Sequence, residues 1–157
     1  MKRVAVVVAV VVVALVGCDA FLGWRLHHAR AAVNDRTALL ARVNVVMPEL
    51  LSYSGATITA DTAKAAADTT GDFQNQFTTA MRTVVAPTAT RTGVVTKASV
   101  SAAGVTALNG NSATVLVFLN QTTTSKTRPL PAVTGSRLSV TLAQVNGQWL
   151  VSGVKPL

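Results

Sequence analysis

The sequence predicts an α+β protein in which an N-terminal membrane helix is followed by helices that pack on a curved four-stranded antiparallel sheet. Three observations support this prediction. The chain begins with an apolar run, its hydrophobic period changes from helical to alternating after Pro87, and its second half contains two Asn-Gly pairs. Because the helical and strand segments are segregated along the chain, the pattern indicates helices on one face of an antiparallel sheet.

The N-terminal segment predicts a membrane anchor. Residues 4–16 are thirteen consecutive apolar residues, nine of them valine, and the apolar character continues to Trp24. A helix needs about 20 mostly apolar residues to cross a bilayer, and residues 4–24 supply 21. Lys2 and Arg3 favour a cytoplasmic N-terminus. The segment therefore predicts a single-pass protein of the cell membrane with an extracytoplasmic C-terminal domain.

Cys18 gives the same segment a second interpretation. Residues 15–18 read Leu-Val-Gly-Cys, which has the form of a bacterial lipobox, in which the cysteine is lipidated and becomes the new N-terminus. Asp19 would be costly inside a spanning helix, whereas a lipoprotein does not need the apolar residues that follow it. A spanning helix and a cleaved signal with a lipidated Cys18 therefore both stay open, and both place the residues after Trp24 outside the cytoplasm.

The length of the chain allows one further domain. About 130 residues follow the anchor, which is enough for a single hydrophobic core. We divide the chain into an anchor or lipoprotein signal (residues 1–25), a membrane-proximal helix leading into the domain (26–50) and an α+β domain (51–157). Cys18 is the only cysteine, so the domain has no disulfide and no thiol chemistry.

Charge is distributed unevenly along the chain. The formal net charge is +8, and all six acids precede residue 73. The basic residues after that point are Arg82, Arg91, Lys97, Lys126, Arg128, Arg137 and Lys155. They predict either a solvated basic surface or attraction to anionic lipid headgroups. Nucleic acid is not expected as a partner, because the compartment is wrong and the basic residues do not cluster with aromatic ones.

Helical periodicity covers the first half of the domain. A first helix is predicted over residues 29–51, where Pro48 should kink or end it near Met47. It would begin as a short stalk and then pack on the domain, and pairing with itself as a coiled coil is the alternative. Two shorter helices are predicted over residues 60–69 and 72–85, and Pro87 should close the second.

Alternating hydrophobicity predicts four strands after Pro87. Asn109-Gly110 and Asn146-Gly147 are tight hairpin turns. Pro129 and Pro131 predict a long hairpin loop over residues 126–134. The strands are centred on residues 94–105, 113–120, 138–142 and 149–154.

The sequence offers no constellation for catalysis, metal binding or cofactor binding. The predicted strands carry no Asp, Glu or His, and His27 and His28 lie beside the membrane segment. Asp72 is explained by a helix start, where a carboxylate complements the helix dipole. Asn120-Gln121-Thr122 matches a glycosylation sequon but lies in a predicted strand. Cys18 is therefore the candidate modification site.

The aromatic residues are predicted to serve packing. Tyr53 is expected between helix and sheet, and the core aromatics are Phe73, Phe77, Phe118 and Trp149.

Several segments together resemble a known family. They are an anchor ending in Gly-Trp-Arg, Leu51-Ser52-Tyr53, residues 69–73 with Phe77, residues 113–122, and Leu138 to Leu142 leading to Gly147-Gln148-Trp149. In this order they are similar to the actinobacterial Mce-associated membrane proteins. The resemblance implies an exported domain with the nuclear transport factor 2-like (SnoaL-like, cystatin-like) cone. The chain departs from the family pattern, which carries acids near Tyr53 and in the last hairpin, because Ser54, Gly55 and Asn146 stand there.

The resemblance also implies a function. It predicts a non-catalytic, membrane-anchored accessory protein that scaffolds or stabilises an Mce-type lipid import system, with Mce-family proteins and their permease as partners. The alternative is a lipid-binding carrier, in which the Val-, Leu- and Phe-rich strands line an apolar pocket.

Overall fold

The computed structural model describes residues 35–157. The chain divides into two compact units, Met1–Thr37 and Ala38–Leu157, and the second carries the sheet. The predicted anchor with Cys18, His27 and His28 lies outside the described residues. Within residues 35–157, no helix combines the length and the apolar character needed to cross a bilayer.

The described elements form helices followed by one antiparallel sheet. The helical part comprises α1 (residues 35–51), α2 (Ile58–Ala67), α3 (Gly71–Ala80), a π-helical turn (Met81–Val85) and α4 (Ala86–Thr92). The strands are β1 (Tyr53–Ser54), β2 (Val95–Asn109), β3 (Ser112–Ser125), β4 (Arg128–Val145) and β5 (Gln148–Pro156). Neighbouring strands in the sheet follow chain order. The predicted α+β class is confirmed, and the short β1 adds a fifth strand to the four predicted.

Helix α1 fills the inner face of the sheet. Leu39, Val43, Val46 and Met47 are fully buried, and their spacing places them on one helix face. They share one core cluster with alternate residues of the strands, such as Val117. Each such side chain contributes about 1.5–3 kcal/mol when it is buried. Helix α1 thus supplies five of the fourteen buried residues of this core cluster, so it packs on the domain as predicted.

Two prolines lie inside helical segments that they were predicted to end. Helix α1 continues past Pro48 to residue 51, where the Ser52 N–H donates to the Pro48 carbonyl at 2.9 Å. Pro87 does not close the second helical segment but lies in the first turn of α4. The π-helical turn before it shifts the hydrogen-bond register, so Pro87 occupies a position where its missing N–H costs little.

The predicted loop over residues 126–134 is wrong, because β4 already begins at Arg128. Thr123 pairs with Ala132, and the next pair joins Ser125 to Arg128. Pro129 and Pro131 therefore lie in a bulge, where the ladder does not need their missing N–H groups. The turn that connects β3 and β4 contains only residues 126–127.

The two Asn-Gly turns are confirmed. Gly110 has φ +54°, and Asn146 and Gly147 have φ +51° and +79°. Asn146 and Gly147 are therefore two successive left-handed residues, which define the two-residue turn that matches the twist of a β-hairpin. In the first turn, Asn109 ends β2 and the two loop residues are Gly110 and Asn111. The residue types alone were therefore enough to predict turns after β2 and β4.

Candidate interaction surface

The two faces of the sheet differ in chemistry. Residues of β3 alternate between them, so Val115, Val117 and Leu119 face the core while Leu116 and Phe118 face outward. Phe118 was predicted as a core residue, and this prediction is wrong because its side chain is 38% exposed on the outer face. The outer face thus carries an aromatic side chain that the core does not use.

A groove of about 430 Å³ lies on the outer face beside the end of β5. Its apolar walls include Phe118 and Leu157, and the Leu157 residue is 67% exposed. Polar atoms come from Asn120 and from the Arg137 guanidinium. Gly135 of β4 has no side chain, so backbone alone forms this part of the groove wall.

The groove borders the part of β4 that precedes Arg137. Strand β5 pairs with β4 only from Leu138 to Val145, and the Leu157 N–H then donates to the Arg137 carbonyl at 3.0 Å. Among the described strands, the part of β4 before Arg137 has a neighbour only on the β3 side. Backbone groups alternate in direction along an antiparallel strand. The N–H and C=O groups of Val133 and Gly135 therefore point to the open side.

The edge of β2 is interrupted by bulges and capped by a side chain at its start. Two bulges interrupt its pairing with β3, between Val100 and Ala102 and between Val105 and Ala107. At its start, the Ser52 Oγ accepts a hydrogen bond from the Ala98 N–H at 2.9 Å. Bulges and side-chain caps make an edge a poor template for another strand.

The edge of β5 is covered by the connection between α2 and α3. Thr69 forms a parallel bridge with Val151. The Thr70 N–H donates to the Val151 carbonyl, and the Val151 N–H donates to the Asp68 carbonyl, both at 2.9 Å. The middle of β5 is thereby satisfied on both sides.

Ion pairs are confined to the helical half among residues 35–157. Arg42 contacts Asp68 at 2.5 Å and also donates to the Trp149 carbonyl, while Lys64 contacts Glu49 at 2.8 Å. The Lys64 hydrogen bond lowers the pKa of Glu49, and Glu49 raises the pKa of Lys64 in return.

The basic residues of the sheet take part in neither of these ion pairs. They are Lys97, Lys126, Arg128, Arg137 and Lys155, all of them exposed. The outer face of the described domain is therefore basic without acids of its own.

The structure places the predicted helix and packing residues as follows. Asp72 lies exposed in the first turn of α3, as predicted for a helix start. Tyr53 is half-buried and packs against the small cluster of Ile58, Met81 and Ala89, which confirms its position between helix and sheet.

The remaining aromatic predictions are confirmed, and the sequon lies in a strand. Phe73 and Phe77 have ring centroids 6.2 Å apart and pack, like Trp149, on the main core. Asn120 is exposed, and Thr122 follows it in β3.

Sequence reasoning missed a carboxylate that approaches the Tyr53 region in space. Asp61 Oδ2 accepts from the Ser54 N–H at 3.0 Å and from the Thr57 hydroxyl at 2.7 Å. Asp61 lies in the first turn of α2, so these bonds fasten β1 to that helix. Its role is structural. Within residues 35–157, no group of His, Cys, Asp and Glu side chains is arranged to hold a metal ion.

Solved structures with a similar fold include a type IV secretion system protein and the periplasmic domain of DotI. The IcmL-like type IV secretion system protein lpg0120 of Legionella pneumophila has a TM-score of 0.66 at 9% identity, over 78% of this chain and 91% of that one. The periplasmic domain of DotI has a TM-score of 0.61 at 14% identity, over 77% and 94% of the two chains. Agrobacterium tumefaciens VirB8 has a TM-score of 0.56 at 12% identity, over 74% and 90%. At these identities the likeness establishes the fold.

Sequence relatives occur in Mycobacterium tuberculosis. The protein described as "Uncharacterized protein Rv1362c" is 42% identical over 108 residues, which are 69% of this chain and 49% of that protein, so the chain spans about half the length of this relative. "Outer membrane protein Rv1973" is 33% identical over 133 residues, or 85% of this chain and 76% of that protein. A family model described as "Uncharacterized protein Rv1363c/MT1408-like" matches residues 1–156. The chain belongs to this Rv1363c/MT1408-like family.

Proposed function

We propose that the protein is a non-catalytic, membrane-anchored accessory protein whose extracytoplasmic domain scaffolds an envelope complex. One observation carries this proposal: the inner face of the sheet is filled by α1. Leu39, Val43 and Met47 are fully buried there. A catalytic acid or base needs an accessible pocket in which it reaches the substrate, and a face filled by packed apolar side chains offers none.

The chemistry of the core supports the same proposal. The buried polar residues within residues 35–157 are Thr69 and Thr96. A general acid or base needs a titratable group in an enclosed site. The described acids instead lie among the helices, where Asp61 and Asp68 hold elements together. Among the described residues, the exposed side chains and backbone groups are therefore what the protein offers to another molecule.

The proposed location draws on the anchor and on the relatives. Residues 4–24 have the composition of a spanning segment. A relative carries the name outer membrane protein, and a structure of the same fold is titled a periplasmic domain. Both support an exported domain at a membrane.

The proposal includes a specific complex, the Mce-type lipid importer. The resemblance of the segments around Tyr53, Phe73 and Trp149 to Mce-associated membrane proteins is what supports it. On this proposal, Mce-family proteins and the associated permease are the partners, and the domain stabilises their assembly.

Affinity capture from native membranes tests the proposal. The tagged full chain is purified after mild solubilisation, and co-purifying proteins are identified by mass spectrometry. The matched control carries residues 1–34 fused to an unrelated soluble domain, so that proteins retained by the anchor alone are subtracted. We expect permease and Mce subunits only with the full chain. Capture of a different envelope complex would overturn the Mce assignment, and no specific membrane partner would overturn the scaffold role.

The nature of the anchor is tested by the mass of the mature protein. A spanning segment leaves residues 1–17 in the intact mass, and Cys18→Ser changes nothing but that residue. A lipoprotein begins at a diacylated Cys18, and the same substitution leaves an uncleaved precursor. Membrane fractionation does not separate the two, because two acyl chains and a spanning helix both anchor firmly. We propose the spanning form, which a lipid-modified Cys18 would exclude.

A lipid carrier is the second candidate function, and one cleft favours it. A cleft of about 250 Å³ lies on the helical side, lined mainly by apolar and threonine side chains from Ile58 to Ala86. This volume is below the range of about 300–1,000 Å³ that is usual for ligand pockets. The cleft could take one end of an acyl chain, whereas the inner face of the sheet is occupied by α1.

Lipid extraction from the purified full chain tests the carrier function. Ala63→Trp would fill the cleft, and Ala80→Trp, at an exposed position outside the cleft lining, is the matched control. A carrier retains lipid that Ala63→Trp loses and Ala80→Trp keeps. Equal lipid content in all three proteins would contradict a specific cleft.

A further inference from the structure

Charge divides the described domain into two halves. All acidic side chains within residues 35–157 lie in the helical part of the chain, and they are Asp35, Glu49, Asp61, Asp68 and Asp72. The five strands carry no acid, whereas they and the turn between β3 and β4 carry five cations. Neither of the two described ion pairs uses any of these cations. The sheet therefore presents positive charge that no acidic side chain of residues 35–157 pairs with.

The strand register places two of these cations together on the outer face. Phe118 lies on that face, and Arg137 of β4 is its direct partner. Ser139 follows Arg137 on the same face, because alternate residues of a strand point to the same side. Lys155 of β5 is the direct partner of Ser139. Since paired residues of neighbouring strands project to one side of a sheet, Arg137 and Lys155 extend from the same surface.

Lys97 adds a third cation to this surface from the other side of the sheet. Lys97 of β2 pairs with Thr122, which lies on the same face of β3 as Phe118. The Phe118 side chain is 38% exposed, and all three cations are exposed. We call the surface formed by Lys97, Phe118, Arg137 and Lys155 the basic outer face.

The spread of these charges matches a layer of anionic headgroups. Lys97 and Lys155 lie three strand spacings apart across the sheet, which is about 14 Å. A single acidic side chain reaches only one of the cations, whereas a layer of anionic lipid headgroups presents negative charge to all of them. An aromatic ring such as that of Phe118 is also favourable at the level of the headgroups. The proposed anchor holds the domain beside such a layer.

We propose that the basic outer face binds the anionic headgroup surface of the membrane in which the protein is anchored. Each basic residue close to such a surface strengthens the attraction about fivefold. The contact turns the outer face of the sheet toward the bilayer and leaves α2 to α4 accessible to partner proteins. The inference deepens the proposed scaffold function and rests on its membrane anchor.

Energy transfer in nanodiscs tests the proposal with the full chain. A donor dye is attached through Ser99→Cys, an exposed position beside Asn120 on the outer face, in a Cys18→Ser background. The acceptor dye is carried by the lipid headgroups. The discs contain either phosphatidylcholine alone or phosphatidylcholine mixed with phosphatidylglycerol.

We expect higher energy transfer in the anionic discs than in the neutral ones. The difference should disappear in about 1 M NaCl, because charges are then screened beyond about 3 Å. A donor attached through Ala80→Cys, an exposed position on α3, is the control and should show no such rise.

Two double variants with the same change in net charge show whether the face is specific. Arg137→Gln with Lys155→Gln removes two cations of the basic outer face and should weaken the attraction to anionic discs about 25-fold. Arg82→Gln with Arg91→Gln removes two exposed cations of the helical half and should weaken it about twofold at most. Circular dichroism checks that both proteins are folded.

Four results would overturn the proposal. They are equal energy transfer from Ser99→Cys in neutral and anionic discs, a rise that persists in high salt, equal losses in the two double variants, and a larger rise for Ala80→Cys than for Ser99→Cys. Binding of an acidic protein by the outer face without any approach to anionic discs would replace the lipid surface by a protein partner.

The proposed function can fail independently of this inference. Insertion of the full chain into neutral discs reports on the anchor, and affinity capture reports on membership of a complex. The difference between anionic and neutral discs reports on the basic outer face alone.

Discussion

The edges of the sheet are protected to different degrees. The β2 edge carries two bulges and a Ser52 cap, and the middle of β5 is bridged by Thr69. By contrast, residues 133–136 of β4 pair regularly with β3 and have no partner on the other side among the described strands. Soluble proteins usually protect their strand edges against unwanted pairing. The comparison therefore indicates that the bulges and the Ser52 cap protect β2, and that the Thr69 bridge protects β5, against unwanted pairing.

The two ends of α1 lie at opposite ends of the sheet. Arg42 of α1 contacts the Trp149 carbonyl, whereas Ser52 at the other end of this helix contacts Ala98. The chain thus enters the domain near the β4–β5 turn, and the open segment of β4 lies toward the opposite end of the sheet.

The largest expected effect comes from breaking the contact that protects the start of β2. A Cβ on Gly55 would lie 2.2 Å from the Ala89 carbonyl oxygen, and the Gly55 N–H donates to Val94. The atoms that this Cβ would meet belong to the backbone, which cannot move aside as a flexible side chain can. Gly55→Ala should therefore lower the free energy of unfolding by about 3 kcal/mol. Thermal unfolding followed by circular dichroism measures this.

Gly104→Ala on β2 is the control for Gly55→Ala. Its Cβ would meet nothing within 4 Å, so its effect should stay within about 0.5 kcal/mol. Equal losses for the two variants would show that the close approach to Ala89 is not the cause.

The covered edge of β5 can be opened with Thr70→Pro. Thr70 has φ −148°, which proline cannot adopt, and its N–H donates to Val151. We expect a loss of about 2 kcal/mol, together with faster hydrogen exchange along β5. Thr70→Ala keeps the N–H and should leave exchange at Val151 nearly unchanged. Unchanged exchange in the proline variant would argue that the bridge does not protect this edge.

Arg42→Gln tests the ion pair that joins the helices to β5. The substitution leaves the largely buried Asp68 without its cation and removes the bond to the Trp149 carbonyl. We expect a loss of about 1 kcal/mol. Arg91→Gln, an exposed residue outside both ion pairs, is the control and should cost much less. Chemical denaturation measures the free energy of unfolding of both variants. The two values can be compared directly when both variants show the same dependence on denaturant concentration.

The smallest expected effect belongs to the exposed pair of Glu49 and Lys64. The pKa of Glu49 is lowered from its ordinary value of 4.5, mainly by the Lys64 hydrogen bond. Its contribution to stability is therefore fully present above pH 4.5 and is lost as the pH falls through the lowered pKa. Glu49→Gln should remove this part of the acid dependence and change stability little at neutral pH. A large change at pH 7 would contradict a solvent-screened pair.

The raised pKa of Lys64 has the opposite sign. Its ordinary value is 10.5, and Glu49 moves it upward. The stabilisation is present below pH 10.5 and is lost as the pH rises through the raised pKa. Unfolding curves of the wild type and Glu49→Gln between neutral and strongly basic pH should converge at the basic end.

Local patterns were sufficient for the class of the fold and for many of its elements. The stripe containing Leu39, Val43 and Met47 predicted α1, and the Asn-Gly pairs predicted two turns. Tyr53 and Trp149 were correctly placed in packing positions. These features depend on residues within a few positions of each other, so one sequence is enough to read them.

The candidate site could not be predicted in the same way. Pro129 and Pro131 indicated a loop, although the bulge lets β4 continue through them to Arg128. Phe118 was assigned to the core because its apolar neighbours in β3 hid the alternation of faces. Which part of β4 pairs with β3 and which part also pairs with β5 depends on residues far apart in the chain.

The sequence by itself determined the α+β class, the order of helices before strands, the hairpin turns and the basic character of the second half. The tertiary structure decided how much of the core α1 supplies, that Pro87 continues a helix, and that β4 already begins at Arg128. The physical reason is the range of the interactions. Periodicity and turn chemistry act over a few residues, whereas burial and strand pairing depend on which distant segments come into contact.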